Sequence, residues 1–102
     1  MRKTHSLIKV IAAFLDDPAE KHWGYELSRR TEVRSGVLYP ILRRMLEEGW
    51  LKDGWEERGT GSSHRPPRRY YELTGDGQLA MNAMMREAEE DFRFAKPVEE
   101  VG

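Results

Sequence analysis

Five arginines and one tyrosine carry the plainest chemical signal in the chain. In "RPPRRYY", residues 65–71, Arg65, Arg68 and Arg69 border two prolines, with His64 beside them. In "SGVLYPILRR", residues 35–44, Arg43 and Arg44 follow Tyr39 and Pro40. A guanidinium is a fixed fork of donors that matches phosphate oxygens and the major-groove edge of guanine, so such clusters suit a polyanion. The bland alternative is solvated surface, with Arg43 or Arg44 paired to Glu47 or Glu48 a helical turn away and the hairpin arginines simply hydrated. Other chemistries have little to stand on. With no cysteine there is no thiolate nucleophile, disulfide or thiolate metal site. The chain has no Gly-x-Ser-x-Gly elbow and no Walker-type loop, "GTGSS" being too short to count. His5, His22 and His64 fall on three different predicted elements, without the tight spacing of zinc ligands. No catalytic residue, metal or cofactor is assigned, and an enzyme is not expected.

These residues need a scaffold, and 102 residues allow one small domain. Hydrophobic residues make up 38% and charged residues 34%, a composition that leaves a modest core and little spare apolar surface. The longest uncharged N-terminal run, "VIAAFL", is too short for a signal-peptide core or a membrane span, so a cytoplasmic protein is expected. The formal net charge of -1 hides an asymmetry. Residues 1–75 carry 14 Lys+Arg against 11 Asp+Glu, a net +3, and residues 76–102 carry 3 against 7, a net -4. A basic body with an acidic distal segment is compatible with a face turned to phosphate and a segment turned away from it.

Apolar spacing supplies the elements. Leu7, Ile8, Ile11, Ala12 and Leu15 line one face of a first helix, capped by Thr4 or Ser6 and ended at Asp17-Pro18. "GYELSRRT" reads as a short second helix opening near Gly24, followed by a turn over residues 31–34. The third helix is the strongest: Ser35 is its expected N-cap, Leu38, Ile41, Leu42 and Met45 form its inward stripe, and Gly49 stands where a C-terminal glycine belongs. Pro40 sits inside it, opposite the carbonyl of Gly36. "WLKDGWEE" and "RRYYEL" read as two strands of a hairpin with its tip at residues 58–67, Tyr71 and Leu73 inward and Tyr70 outward. Thr74 can cap a last helix on which Met81, Met84, Met85, Ala88 and Phe92 recur at three- and four-residue intervals.

Helix, helix, helix, strand, basic tip, strand, helix is the order of a winged helix-turn-helix. The expected fold class is mainly α with a small β-hairpin: a winged helix-turn-helix over residues 1–74, a C-terminal dimerisation helix over residues 75–96 and a disordered tail over residues 97–102. The chain also resembles the PadR family of transcriptional regulators in its short form. The resemblance lies in "GYEL" at residues 24–27, "SGVLYPILRRMLEEGWL" at residues 35–51 and "RRYYELTGDG" at residues 68–77. It implies a homodimer that binds double-stranded DNA. Ser35, Gly36, Tyr39, Pro40, Arg43 and Arg44 would lie on the exposed side of the third helix, and His64, Arg65, Arg68 and Arg69 on the wing. It further implies an interface built from Leu7, Ile11, Met81, Met84, Met85, Ala88 and Phe92, in which the last helix packs on the partner's first helix and a small aromatic effector binds. The bland alternative for that stripe is packing on the chain's own first helix. The rival to a DNA-binding repressor is a winged-helix protein-interaction module without DNA binding.

Overall fold

A computed structural model describes residues 1–56 and 67–94 of the chain. Nearly all of the expected hairpin tip, with His64 and Arg65, and the expected tail over residues 97–102 lie outside the described residues. The elements run α1 (His5–Asp16), β1 (His22–Trp23), α2 (Gly24–Thr31), α3 (Ser35–Glu47), β2 (Leu51–Trp55), β3 (Arg69–Leu73) and α4 (Gly75–Glu90). The chain is mostly helical with a small antiparallel sheet, as the spacing predicts. Unforeseen is β1, a two-residue strand that makes the sheet three-stranded in the order β1-β3-β2.

Local chemistry sets the boundaries. The hydroxyl of Thr4 accepts from the Leu7 N–H at 3.1 Å and opens α1, and α1 ends at Asp16, with Asp17 forced out of the helical region ahead of Pro18. Between α2 and α3 the turn is closed by Thr31, whose hydroxyl donates to the Leu27 carbonyl at 2.6 Å and accepts from the Val33 N–H at 3.2 Å. Glu32 takes a left-handed conformation there, with φ of 59°. Ser35 is not the cap of α3. The Arg34 carbonyl already accepts from the N–H groups of Val37 and Leu38, which places Ser35 one position inside the helix, and Arg34 is a cap without a side-chain bond.

The far end of α3 is more tightly specified. Gly49 adopts φ of 76°, its N–H donates to Leu46 at 3.0 Å, and the Trp50 N–H donates to Met45 at 2.9 Å. That pair of bonds is a Schellman closure, in which glycine avoids the penalty of a Cβ in the left-handed region. The chain turns straight into β2, which pairs with β3 so that Leu51 faces Leu73, Asp53 faces Tyr71 and Trp55 faces Arg69. Alternation then puts Leu51 and Tyr71 in the core. On the opposite face Tyr70 lies across Gly54, where an added Cβ would collide with its ring, and stacks on Trp23 with ring centroids 5.5 Å apart.

α4 begins against the end of α3. The Thr74 N–H donates to the Trp50 carbonyl at 3.0 Å, its hydroxyl lies 2.7 Å from the Gly49 carbonyl and 3.1 Å from that of Trp50, and the same oxygen accepts from the Gly77 N–H at 2.9 Å. The backbones are so close that a Cβ on Gly77 would stand 2.6 Å from the Trp50 carbonyl carbon. The core joins Leu7, Val10, Ile11 and Phe14 of α1 to Leu27, to Leu38, Leu42 and Met45 of α3, to Leu51 and Tyr71 of the sheet, and to Met81 of α4. Ile41, expected in the α3 stripe, is only half-buried at its margin.

Alanine normally improves a helix over glycine, by up to about 1 kcal/mol, and Gly75, with nothing within 4 Å of its virtual Cβ, is expected to follow that rule. Gly77→Ala is expected to destabilise by about 1–3 kcal/mol, as overpacking against backbone does. Urea unfolding of the two variants checks the opposite signs.

Candidate nucleic-acid interface

With Leu38, Leu42 and Met45 turned inward, the helical period leaves Ser35, Gly36, Tyr39, Pro40, Arg43 and Arg44 on the outer side of α3, and all six are exposed. Val37 joins them at the first turn, a position the stripe did not single out. The two arginines differ. Arg44 donates to Glu48 at 3.1 Å, so for this residue the pairing alternative is realised. Arg43 has no hydrogen bond or ion pair among the described residues.

Tyr39 is held in place although it is 45% exposed. Its ring lies against the backbone of Gly24, and a Cβ there would meet the phenol oxygen and come within 3.0 Å of the carbon that bears it. The glycine that opens α2 and the tyrosine of α3 are thus one packing unit. Tyr25, next to Gly24, projects outward at 65% exposure, with the Arg29 guanidinium 5.8 Å from its ring centre. A cleft of about 280 Å³ runs between the start of α2, α3 and β3, and Tyr25, Tyr39, Tyr71, Arg68 and Arg69 are among its walls.

At the base of the hairpin both described arginines carry carboxylate partners. Arg69 donates through Nε to Asp53 at 2.6 Å and also through Nη2 to the same oxygen. That hydrogen bond raises the Arg69 pKa above its ordinary value against the opposing effect of desolvation, so it stays cationic at any working pH. Its guanidinium lies 6.0 Å from the Trp55 ring centre and 5.5 Å from that of Tyr71. Burial pushes the Tyr71 phenol above its usual range, partly offset by the Arg69 charge, and keeps it neutral. One residue earlier, the Arg68 N–H donates to Glu56 at 3.2 Å while its guanidinium reaches the same carboxylate at 3.4 Å.

The expected interface residues divide. Leu7, Ile11, Met81 and Ala88 are buried inside the single chain, where α4 packs on its own α1, the bland alternative for the stripe. Met84 and Met85 are half-buried against the same core. The last helix stops at Glu90 rather than reaching residue 96, because Asp91 is extended and its carboxylate turns back to accept the Arg93 N–H at 3.0 Å. Phe92, placed on the helix by its spacing, falls in that turn and is 88% exposed. The segment returns to α1 through a 3.0 Å hydrogen bond between His5 Nε2 and the Arg93 carbonyl, with His5 and Phe94 rings 4.8 Å apart. The hydrogen bonds from the Arg93 side chain and backbone hold the Asp91 carboxyl down at about 2. Leu79, absent from the predicted stripe, is the other large apolar residue of this region left open, at 73%. No His, Asp and Glu cluster suited to a metal occurs among the described residues, and no described helix is long and apolar enough to cross a membrane.

The model of the transcriptional regulator PadR-like family matches residues 15–83. Among solved structures, the chain is similar to a PadR-like transcription factor from Bacteroides fragilis, at 24% identity over 84% of each chain and a TM-score of 0.63. It is also similar to a PadR family transcription regulator from Clostridium difficile R20291, at 21% identity over 82% of this chain and 88% of that one, TM-score 0.65. A transcriptional regulator from Clostridium thermocellum gives 20% identity over 84% and 85%, TM-score 0.66. At these identities the likeness is one of fold. No curated protein matches the chain in sequence.

Two outcomes follow from this geometry. Gly24→Ala is expected to destabilise by about 1–3 kcal/mol through overpacking on Tyr39, and to lose most of that cost in a Tyr39→Ala background; thermal unfolding of the double-mutant cycle reads the coupling. Because the Asp91 pKa is depressed in the folded state, its contribution to stability is present above the ordinary carboxylate value of 3.8 and is lost as pH falls toward about 2. Carboxyl carbon NMR titration should place Asp91 near 2, and Arg93→Ala should return it toward 3.8.

Proposed function

Because the chain belongs to the transcriptional regulator PadR-like family, we propose that it is a sequence-specific repressor that binds an inverted repeat as a homodimer. A DNA-binding transcriptional regulator is the function of the family; repression, the operator form and the dimer are the added reading. The observation that carries it is the outer face of α3, where Tyr39 is braced on Gly24 and Arg43 projects without an acidic partner among the described residues. A helix presented in this way fits the major groove, with Arg43 suited to guanine or phosphate and Tyr39 to phosphate or sugar. The expected wing residues His64 and Arg65 would add contacts to the backbone or the adjacent minor groove, where arginine is favoured.

In a dimer the two α3 helices would enter successive major grooves about 34–36 Å apart. Leu79 and Phe92, with the half-buried Met84 and Met85, offer the apolar surface for a partner chain, and the adaptable methionines suit a small aromatic effector there. An effector that bound one spacing of the α3 helices better than another would change the affinity for DNA. A cytoplasmic location accompanies this role. The second reading, a protein-interaction module without DNA binding, draws on the carboxylate partners of Arg44, Arg68 and Arg69.

Binding to the DNA upstream of the protein's own gene, followed across a salt series against random-sequence competitor, separates the two. The repressor is expected to survive the competitor and to lose affinity with a log–log slope near -0.9 per phosphate contact, for about five contacts per protomer. Binding that is weak and equally competed by any DNA favours the interaction module. Leu79→Glu, at an exposed position, is expected to leave the helical circular dichroism unchanged, shift the protein to a monomer on size exclusion and weaken operator binding more than about tenfold through lost avidity.

A further inference from the structure

We propose that Asp53 sets DNA specificity by occupying Arg69, so that the base of the hairpin adds little affinity for DNA of arbitrary sequence; the inference rests on the DNA-binding reading above. Asp53 and Arg69 are diagonal neighbours on the face of the sheet that carries Leu51 and Tyr71, since Asp53 pairs with Tyr71 and Trp55 with Arg69. Two donors of the guanidinium converge on one carboxylate oxygen of Asp53. The Trp55 and Tyr71 rings, 6.0 and 5.5 Å from the guanidinium, hold it in that position. Arg68 and Glu56 repeat the arrangement one residue away, more loosely, at 3.4 Å. Both arginines line the cleft that Tyr39 borders, beside the exposed face of α3.

An arginine meant only to grip phosphate is poorly served by a carboxylate on its donors. A phosphate arriving there must displace Asp53 or meet a pair whose net charge is zero. Affinity for random DNA comes almost wholly from phosphate neutralisation and counterion release. Each arginine withheld from phosphate therefore lowers random binding, by about eightfold at about 0.1 M salt if one contact of slope 0.9 is lost. Side-chain contacts from α3 to base edges come from another element and keep their full effect at the correct sequence. The acids thus widen the ratio between specific and random binding, the quantity a regulator needs among many competing sites.

The test uses the full chain and a random-sequence duplex of about 20 base pairs, titrated between about 50 and 200 mM salt. Asp53→Asn is expected to bind it about five- to tenfold more tightly at about 0.1 M salt, with a log–log slope steeper by about 0.9. The gain should vanish in Asp53→Asn/Arg69→Ala. Glu72→Gln removes the same charge from the opposite face of the sheet and should change binding by about twofold or less, as screening predicts. Should asparagine not be accommodated in the strand, Asp53→Ser removes the charge and gives the same readout. Unchanged or weaker binding by Asp53→Asn means that Asp53 merely orients Arg69 and overturns the inference alone, as does a gain that persists without Arg69. Absence of any salt-dependent DNA binding by the unsubstituted chain overturns the DNA-binding reading together with it.

Discussion

The carbonyl of Trp50 is the point on which the architecture turns. It takes the Thr74 N–H, lies beside the Thr74 hydroxyl, and stands against a glycine because no other residue leaves it room. Four elements meet there: the closed end of α3, the start of β2, the end of β3 and the first turn of α4. The Schellman turn at Gly49 makes the meeting possible by reversing the chain within two residues. Were α3 to end one residue later, every side chain of β2 would change faces, because a strand alternates with period two. The position of the hairpin relative to the outer face of α3 is therefore a consequence of backbone chemistry at one corner more than of side-chain contacts along the sheet.

The same economy governs the exposed face. Arg44, Arg68 and Arg69 each have a carboxylate within 4 Å, so a body with a net +3 over residues 1–75 presents less free positive charge than its arginines suggest. Exposed pairs of this kind contribute little to stability, typically under about 1 kcal/mol. Their effect is better sought in what they deny to a polyanion. A Tyr39 ring braced on the Gly24 backbone and a muted electrostatic background together suit recognition that depends on fit at α3.

Much of this was legible in the residues because local rules and tertiary packing agree. The inward stripe of α3, the Thr4 and Thr74 caps, the proline stop after α1 and the alternation of Tyr70 and Tyr71 all came from spacing and side-chain type, and all rest on short-range physics. On α1 only Leu7 and Ile11 of the expected stripe are buried, the core-facing side being turned toward Val10, Ala13 and Phe14 while Ala12 is exposed. What escaped was long-range. His22 and Trp23 join a sheet only because Tyr71 and Tyr70 lie opposite them, and two residues are too few to show a period. Ser35 is a good cap by type, yet the Arg34 carbonyl begins the helix. The methionine spacing marks an apolar face but cannot say which chain covers it, and Met81 joins the core of its own chain, where Ala88 is also buried. Phe92 continues the period while Asp91 ends the helix with its own carboxylate, a local competition that periodicity alone does not weigh. The acidic partners of the hairpin arginines depended on strand register, which residue counting left open until β2 and β3 were paired.

Pro40 has a consequence of a different kind. It sits within α3 and has no N–H, so the Gly36 carbonyl four residues earlier lacks its helical donor, and both residues are on the exposed face. The outward helix therefore carries a main-chain acceptor that belongs to no side chain. Substitution at Gly36 cannot delete it; only replacement of Pro40 by a residue with an N–H would close it. Every side chain on that face can diverge while this oxygen stays without its helical donor, so the feature is inherited through the proline and not through the residue that carries the oxygen.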